Sequence, residues 1–226
     1  MSSFRQLMMR NKGGGYILNP IFKYINPNGN IGATVDSDFI MTPNFSSVNG
    51  YSVSGGLYID ENIPFNTANS WELQIKFYFQ AKHEQGFITC KPDITSNYFY
   101  AMGIGDNRAA LKATGQTGHM EANAFFYIEP YTLTENAWNI LKFQYNNGEY
   151  SLLWSLDNGA TWTNLKTITS SSKLSNVSKE HPMCIGVQCI YWSHLKDWSL
   201  KSPVDLKDFY IKINGEYFLK AVIKEN

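Results

Sequence analysis

The sequence predicts an all-β chain: a two-sheet antiparallel jelly-roll sandwich preceded by a short N-terminal arm. Three observations lead there. Aromatic residues make up 15% of the 226 positions, with fourteen Tyr, fourteen Phe and six Trp. Sheets favour aromatic and β-branched side chains, while the abundant Asn and Gly suit tight turns. Long stretches alternate apolar with polar residues, and Asn-Gly signals separate them. No segment carries a strong helix pattern.

The chain opens with "MSSFRQLMMRNKGGG", unlike anything after it. Phe4, Leu7 and Met8 would share one side of a single helical turn, which is not stable alone in water. The segment reads either as a disordered terminus or as an arm that orders on docking, with Gly13–Gly15 as a flexible joint. Residues 1–30 are assigned to this arm and 31–226 to the sandwich. In "WELQIKFYFQ", Trp71, Leu73, Ile75, Phe77 and Phe79 alternate with polar neighbours, so they should face a core. "GFITC" and "YFYAMGIG" form a shorter pair. "AWNILKFQYNNGEYSLLWSLDNGATWTNLKTI" reads as a three-stranded meander. Its turns are at Asn146–Gly148 and Asp157–Gly159, its first strand carries Leu141, Phe143 and Tyr145 on one face, and its third carries Trp162 and Leu165. "CIGVQCIYW" reads as one further strand, and "DFYIKINGEYFLKAVI" as a hairpin about Asn214–Gly215. About a dozen strands without a repeat of fixed period fit two packed sheets rather than a propeller.

Composition excludes several functions. Nineteen basic and nineteen acidic residues cancel, so neither nucleic acid nor an anionic membrane is an expected partner. No run of eighteen apolar residues predicts a membrane span, and the N-terminus turns basic and glycine-rich too soon for a signal peptide. Three cysteines, Cys90, Cys184 and Cys189, make no disulfide framework.

The order of "YSVSGGLYID", "SWELQIKFYF", "TENAWNILKFQYNNGEYSLLWSLDNGATW", "IGVQ" and "VDLKDFYIKINGEYF" resembles the concanavalin A-like lectin/glucanase superfamily in its laminin-G-like form. It is most similar to the version found in bacteriophage tail or fibre proteins. The resemblance spans Asn44 to Ile223. The opening "SSFRQLMMRNKGGG" also looks like the amino termini of some phage minor structural proteins.

The octet "SLDNGATW", Ser155–Trp162, fits S-x-D-x-G-x-T-W, the Asp box of sialidases. A sialidase also needs clustered arginines for the substrate carboxylate, and this chain has Arg5, Arg10 and Arg108 only. The box therefore reads as a turn: Asp157 accepts backbone N–H groups, Gly159 supplies positive φ, and Trp162 folds back over it. Hydrolases of the resembled superfamily carry a pattern like E-x-D-x-x-E, which sets two carboxylates about 5 Å apart for retaining chemistry. No such pattern occurs. The nearest acidic pairs are Asp36 with Asp38 and Asp60 with Glu61. His83, His119, His181 and His194 are too dispersed for zinc, and no triad or phosphate loop occurs. No cofactor is expected. The resemblance leaves calcium open, with Asp106 and Asn107 as loop candidates, though they read first as turn residues.

Two loops have the aromatic and amide composition of a sugar site. One is "DITSNYFYAMG", with Asn97, Tyr98 and Tyr100. The other is "IYWSHLKDWSLKSP", with Tyr191, Trp192, His194, Asp197 and Trp198. Their plainer reading is a cover over the core. The expectation is a non-enzymatic virion structural protein, a bacteriophage tail or head-fibre component, whose sandwich contacts host-surface glycan or protein. The resemblance implies assembly in the host cytoplasm, other virion proteins as partners and a homo-oligomer, a trimer by analogy, with Phe4, Leu7 and Met8 anchoring. The alternative is a stand-alone carbohydrate-binding protein. A glycoside hydrolase or sialidase comes third.

Overall fold

In a computed structural model of the chain, side chains are described at 56–78, 88, 136–170, 173–186 and 205–220. Backbone alone is described at 22–24, 33–35, 41–43, 45–48, 51–54, 79, 85–87, 89–90, 100–104, 111–114, 125–127, 188–189, 198–199 and 204. Among these residues there is no helix. Strands are numbered in chain order. A seven-stranded sheet runs β1 (Phe22–Tyr24), β6 (Leu57–Ile59), β15 (Cys184–Ile185), β8 (Gln85–Cys90), β9 (Tyr100–Ile104), β10 (Leu111–Thr114) and β11 (Phe125–Tyr127). An eight-stranded sheet runs β14 (Thr163–Thr169), β13 (Glu149–Ser155), β12 (Trp138–Asn146), β7 (Ser70–Phe79), β18 (Val204–Ile213), β3 (Met41–Pro43) and β2 (Ala33–Val35). Its eighth strand, β19 (Glu216–Lys220), pairs with β18. Two ribbons complete the set: β4 (Phe45–Val48) with β5 (Tyr51–Ser54), and β16 (Gln188–Cys189) with β17 (Trp198–Ser199).

The alternation in β7 produces the core. Trp71, Leu73, Ile75 and Phe77 are all buried, while Glu72, Gln74, Lys76 and Tyr78 between them are part-exposed. The register sets Trp71, Leu73 and Ile75 opposite Tyr145, Phe143 and Leu141 of β12. Those in turn face Tyr150, Leu152 and Trp154 of β13. Cross-strand pairs of this kind stabilise a sheet directly. Leu57, Ile59, Ile88 and Ile185 of the other sheet join the same hydrophobic cluster, so one core lies between the sheets. Trp71 is its centre, with ring centroids at 5.2 Å from Phe65, 5.1 Å from Phe143 and 5.9 Å from Tyr150. Each such buried side chain contributes roughly 1.5–3 kcal/mol.

The turns follow the sequence closely. Asn147 and Gly148 have φ of 46° and 97°, and Asn214 and Gly215 have 51° and 84°. Two consecutive positive φ values define the two-residue turn that matches strand twist.

Three segments differ from the sequence reading. "CIGVQCIYW" is not one strand: Gly186, at φ 75°, breaks it, leaving Cys184 in the seven-stranded sheet and Cys189 in a ribbon. "DNG" closes no tight hairpin, because β13 ends at Ser155 and β14 starts only at Thr163. Trp162 therefore precedes the third strand of the meander instead of lying on it. Phe22–Tyr24, inside the segment read as the arm, pairs with Ile59–Leu57 as part of the sandwich.

One irregularity has no sequence signal. The register of β18 against β7 shifts between Lys207 and Tyr210, and Asp208 takes φ 49°. This bulge lets Leu206, Phe209 and Ile211 all reach the core although their spacing breaks the two-residue period.

A candidate functional site on the outer face of the eight-stranded sheet

The side chains between the core positions form the outer face of the eight-stranded sheet. The loop at 156–162 leans back over that face. Its frame is built around Asp157. Oδ1 accepts hydrogen bonds from the Ser155 hydroxyl at 2.7 Å and the Thr161 amide at 2.9 Å, and Oδ2 accepts one from the Thr161 hydroxyl at 2.5 Å. Ser155 Oγ accepts the Gly159 amide at 2.9 Å. The Thr161 hydroxyl and amide, with the Ser155 hydroxyl, hold the Asp157 carboxyl at about 2, below its ordinary 3.8. A general acid needs a pKa raised toward the working pH. Asp157 is shifted the other way, and both its oxygens are engaged. Trp162 lies flat on the turn: a Cβ at Gly159 would sit 3.3 Å from its ring. The Lys142 ammonium lies over the Trp162 ring, 3.9 Å from its centroid. The octet is a turn, as its composition suggested.

The loop also reaches across β12. Asn158 Oδ1 accepts a hydrogen bond from Lys76 Nζ at 2.5 Å. Lys76 sits 3.9 Å from Asp208. Burial of the Lys76 ammonium lowers its pKa, Lys207 lowers it further, and Asp208 offsets part of this. Trp138 stands beside this cluster, half-buried at the start of β12. Lys207 Nζ is 4.3 Å and Lys76 Nζ 5.7 Å from its centroid, and Tyr78 tilts against it at 5.7 Å. Tyr78 donates from its hydroxyl to Asn136 Oδ1 at 3.5 Å.

Three non-glycine residues at this patch have positive φ: Asn136 at 57°, Asn158 at 59° and Asp208 at 49°. Such backbone is tolerated best by Asn and Asp and clusters at functional sites. The patch thus presents an indole face rimmed by amide and carboxylate acceptors and ammonium donors. Asp208 lies at its rim, and Asp205 stands opposite Tyr78 in the β18–β7 ladder.

Among the described residues no group of three His, Cys, Asp or Glu could hold a metal. Of the acidic pairs noted in sequence, Asp60 and Glu61 follow β6, with Glu61 4.0 Å from Lys179. Asp36 and Asp38 lie outside the described residues, as do Asn97, Tyr98, Tyr191, Trp192, His194, Asp197, Asp106, Asn107 and the arm residues Phe4, Leu7 and Met8. Tyr100 opens β9, and Trp198, read as a loop residue, lies in β17 opposite Cys189. Sequence reasoning missed Trp138, Lys76, Asn158 and Asp208. Alternation alone marked Lys76 and Tyr78 as outward-facing, but nothing local links them to Asn158 or Asp208.

Two packed antiparallel sheets around one core make this a jelly-roll β-sandwich with the concanavalin A-like fold. Two solved structures share the architecture. One is a basic winged bean lectin with Tn-antigen, at TM-score 0.50 and 12% identity over 83% of this chain and 90% of the lectin. The other is the native heptameric SAP-like pentraxin from Limulus polyphemus, at TM-score 0.50 and 14% identity over 79% of this chain and 77% of the pentraxin. No protein-family model and no curated protein sequence matches the chain.

Proposed function

We propose that the chain is a non-enzymatic carbohydrate-recognition module and that Trp138 is its contact plate. The observation that carries this is the indole of Trp138 set among Asn136, Asn158, Asp208, Lys76 and Lys207 on a lectin-type sandwich. Sugars offer apolar C–H faces flanked by hydroxyls. An aromatic plane takes the first, and fixed polar groups at its rim take the second. The winged bean lectin of the same fold carries Tn-antigen, which supports this ligand class. The order of strands and the arm-like N-terminus support a finer reading: a bacteriophage tail or head-fibre component, assembled in the host cytoplasm as a homotrimer, whose arm docks to other virion proteins.

A glycan array probed with the full chain tests the first part. We expect a saccharide signal that falls at least tenfold in Trp138→Ala while the melting temperature holds. An array without signal overturns the proposal, and so does turnover of a fluorogenic glycoside that Asp208→Ala abolishes. For the finer reading, the chain should be detected by mass spectrometry in purified particles. Deletion of residues 1–21, which spares β1, should abolish trimer formation in light scattering. A trimer that survives the deletion sinks the anchoring role.

A further inference from the structure

At the far end of the same face, β7, β12 and β18 enclose a pocket of about 230 Å³ bordered by Ser70, Glu72, Gln144, Asn146, Lys212 and Gly215. Trp138 pairs with Tyr78, Gln144 with Glu72 and Asn146 with Ser70, so the pocket begins about 20 Å along the strands from the Trp138 plate at about 3.3 Å per residue. Trp71 and Tyr145 also border it, but both residues belong to the buried core cluster.

Its frame is fixed by backbone bonds. Asn214 Oδ1 accepts the Asn69 and Ser70 amides at 2.9 and 3.2 Å. The Asn214 amide donates to the Ser70 carbonyl at 2.8 Å, and the Asn147 amide to the Asn69 carbonyl at 2.9 Å. The start of β7 is thereby tied to both Asn-Gly hairpins. A rigid site loses little freedom on binding.

The polar groups are arranged as a donor beside an acceptor. Glu72 Oε2 accepts the Tyr210 hydroxyl at 3.1 Å and lies 3.4 Å from Lys212 Nζ. Among the described residues, Glu72 Oε1 and the Gln144 amide make no hydrogen bond. Tyr217, opposite Lys212 in the ladder, is 42% exposed. Its ring is propped edge-on by Tyr210 at 5.4 Å and flanked by Lys212 at 5.0 Å and Lys220 at 3.6 Å.

We propose that this pocket is a second saccharide subsite, which takes one neutral hexose-sized ring. Adjacent ring hydroxyls fit the Glu72–Lys212 pair, one donating to the carboxylate and its neighbour accepting from the ammonium. Gln144 and Asn146 supply amides at the rim. The volume falls below that of drug-sized sites and suits one ring. The Lys142 ammonium also acts on both Glu72 and Lys212; a neutral ring leaves the Glu72–Lys212 pair intact, whereas the carboxylate of an acidic sugar would compete with Glu72 for Lys212. The ligand class rests on the carbohydrate reading above; the location rests on the pocket alone.

Titration of the isotope-labelled full chain with methyl glucoside, methyl galactoside, methyl mannoside and methyl glucuronide separates the two ideas. We expect a neutral glycoside to shift the amide signals of Ser70, Asn146 and Gly215, in Trp138→Ala as well as in the wild-type chain. Affinity for that glycoside should fall at least tenfold in Gln144→Ala and in Asn146→Ala, two lining positions outside the core whose folding is checked by melting. Shifts confined to the Trp138 end overturn the pocket and leave the proposed function standing. Shifts at neither end, with a silent array, overturn both. Tighter binding of the glucuronide than of every neutral glycoside overturns the neutral selectivity.

Discussion

Asp157 is exposed, yet three donors keep its carboxylate ionised well below the usual range. A carboxyl whose folded pKa is depressed lends stability that is complete above its unfolded value and lost as pH falls through the folded one. Here that window runs from 3.8 down to about 2. Carbon-detected NMR titration should place the Asp157 midpoint near 2, and Thr161→Val, which removes the largest contribution, should move it up toward 3.8. Two glycines near the turns give a second comparison. Gly159 at φ 83° and Gly215 at φ 84° both require the left-handed region. Alanine there costs about 1–2 kcal/mol from the backbone alone. An added Cβ at Gly215 meets nothing within 4 Å, whereas at Gly159 it meets Trp162 at 3.3 Å. Urea unfolding should show Gly159→Ala as the more destabilising of the pair.

At the scale of the element, β7 was legible because every second residue obeys one rule: Trp71 through Phe77 are buried and their neighbours are not. Ile75→Ala should destabilise by about 2–5 kcal/mol in denaturant unfolding. The two Asn-Gly hairpins were legible because only a few residue types accept consecutive positive φ. The bulge in β18 was not. "DFYIKI" reads as plain alternation, and only the partner strand shows that Leu206 and Ile211 sit on the same side with one residue too many between them. Gly186 divided "CIGVQC" for a related reason: a glycine inside an apolar run carries no mark of whether it bends. The Trp138 patch escaped for want of any local pattern, since Lys76 and Asn158 are brought together from 82 positions apart.

For the whole molecule, the boundary of the sandwich matters most. β1 covers one side of β6, so Phe22–Tyr24 belong to the fold. Deletion of 1–21 spares β1 and should leave a single cooperative melting transition. Deletion of 1–30 should lower the melting temperature and promote association, because it bares the edge of β6. Calorimetry with light scattering distinguishes the two truncations. The class of fold was available from the sequence because alternation, turns and aromatic content all agreed. The proposed contact surface was not, because it is assembled from the outward halves of strands that the core pattern leaves unconstrained.

The lysines of that surface carry a practical consequence. Lys76 and Lys142 are both held below the ordinary amine pKa, chiefly by burial, and Lys207, Lys212 and Lys220 stand against aromatic rings beside them. The neutral amine, and not the ammonium, attacks an amine-reactive ester and expels its leaving group. Coupling chemistry that immobilises or labels the chain through its lysines would therefore blind the face to be measured. An N-terminal tag avoids this, and the loss of saccharide signal after acylation, restored by adding sugar during the coupling, would serve as a footprint of the occupied surface.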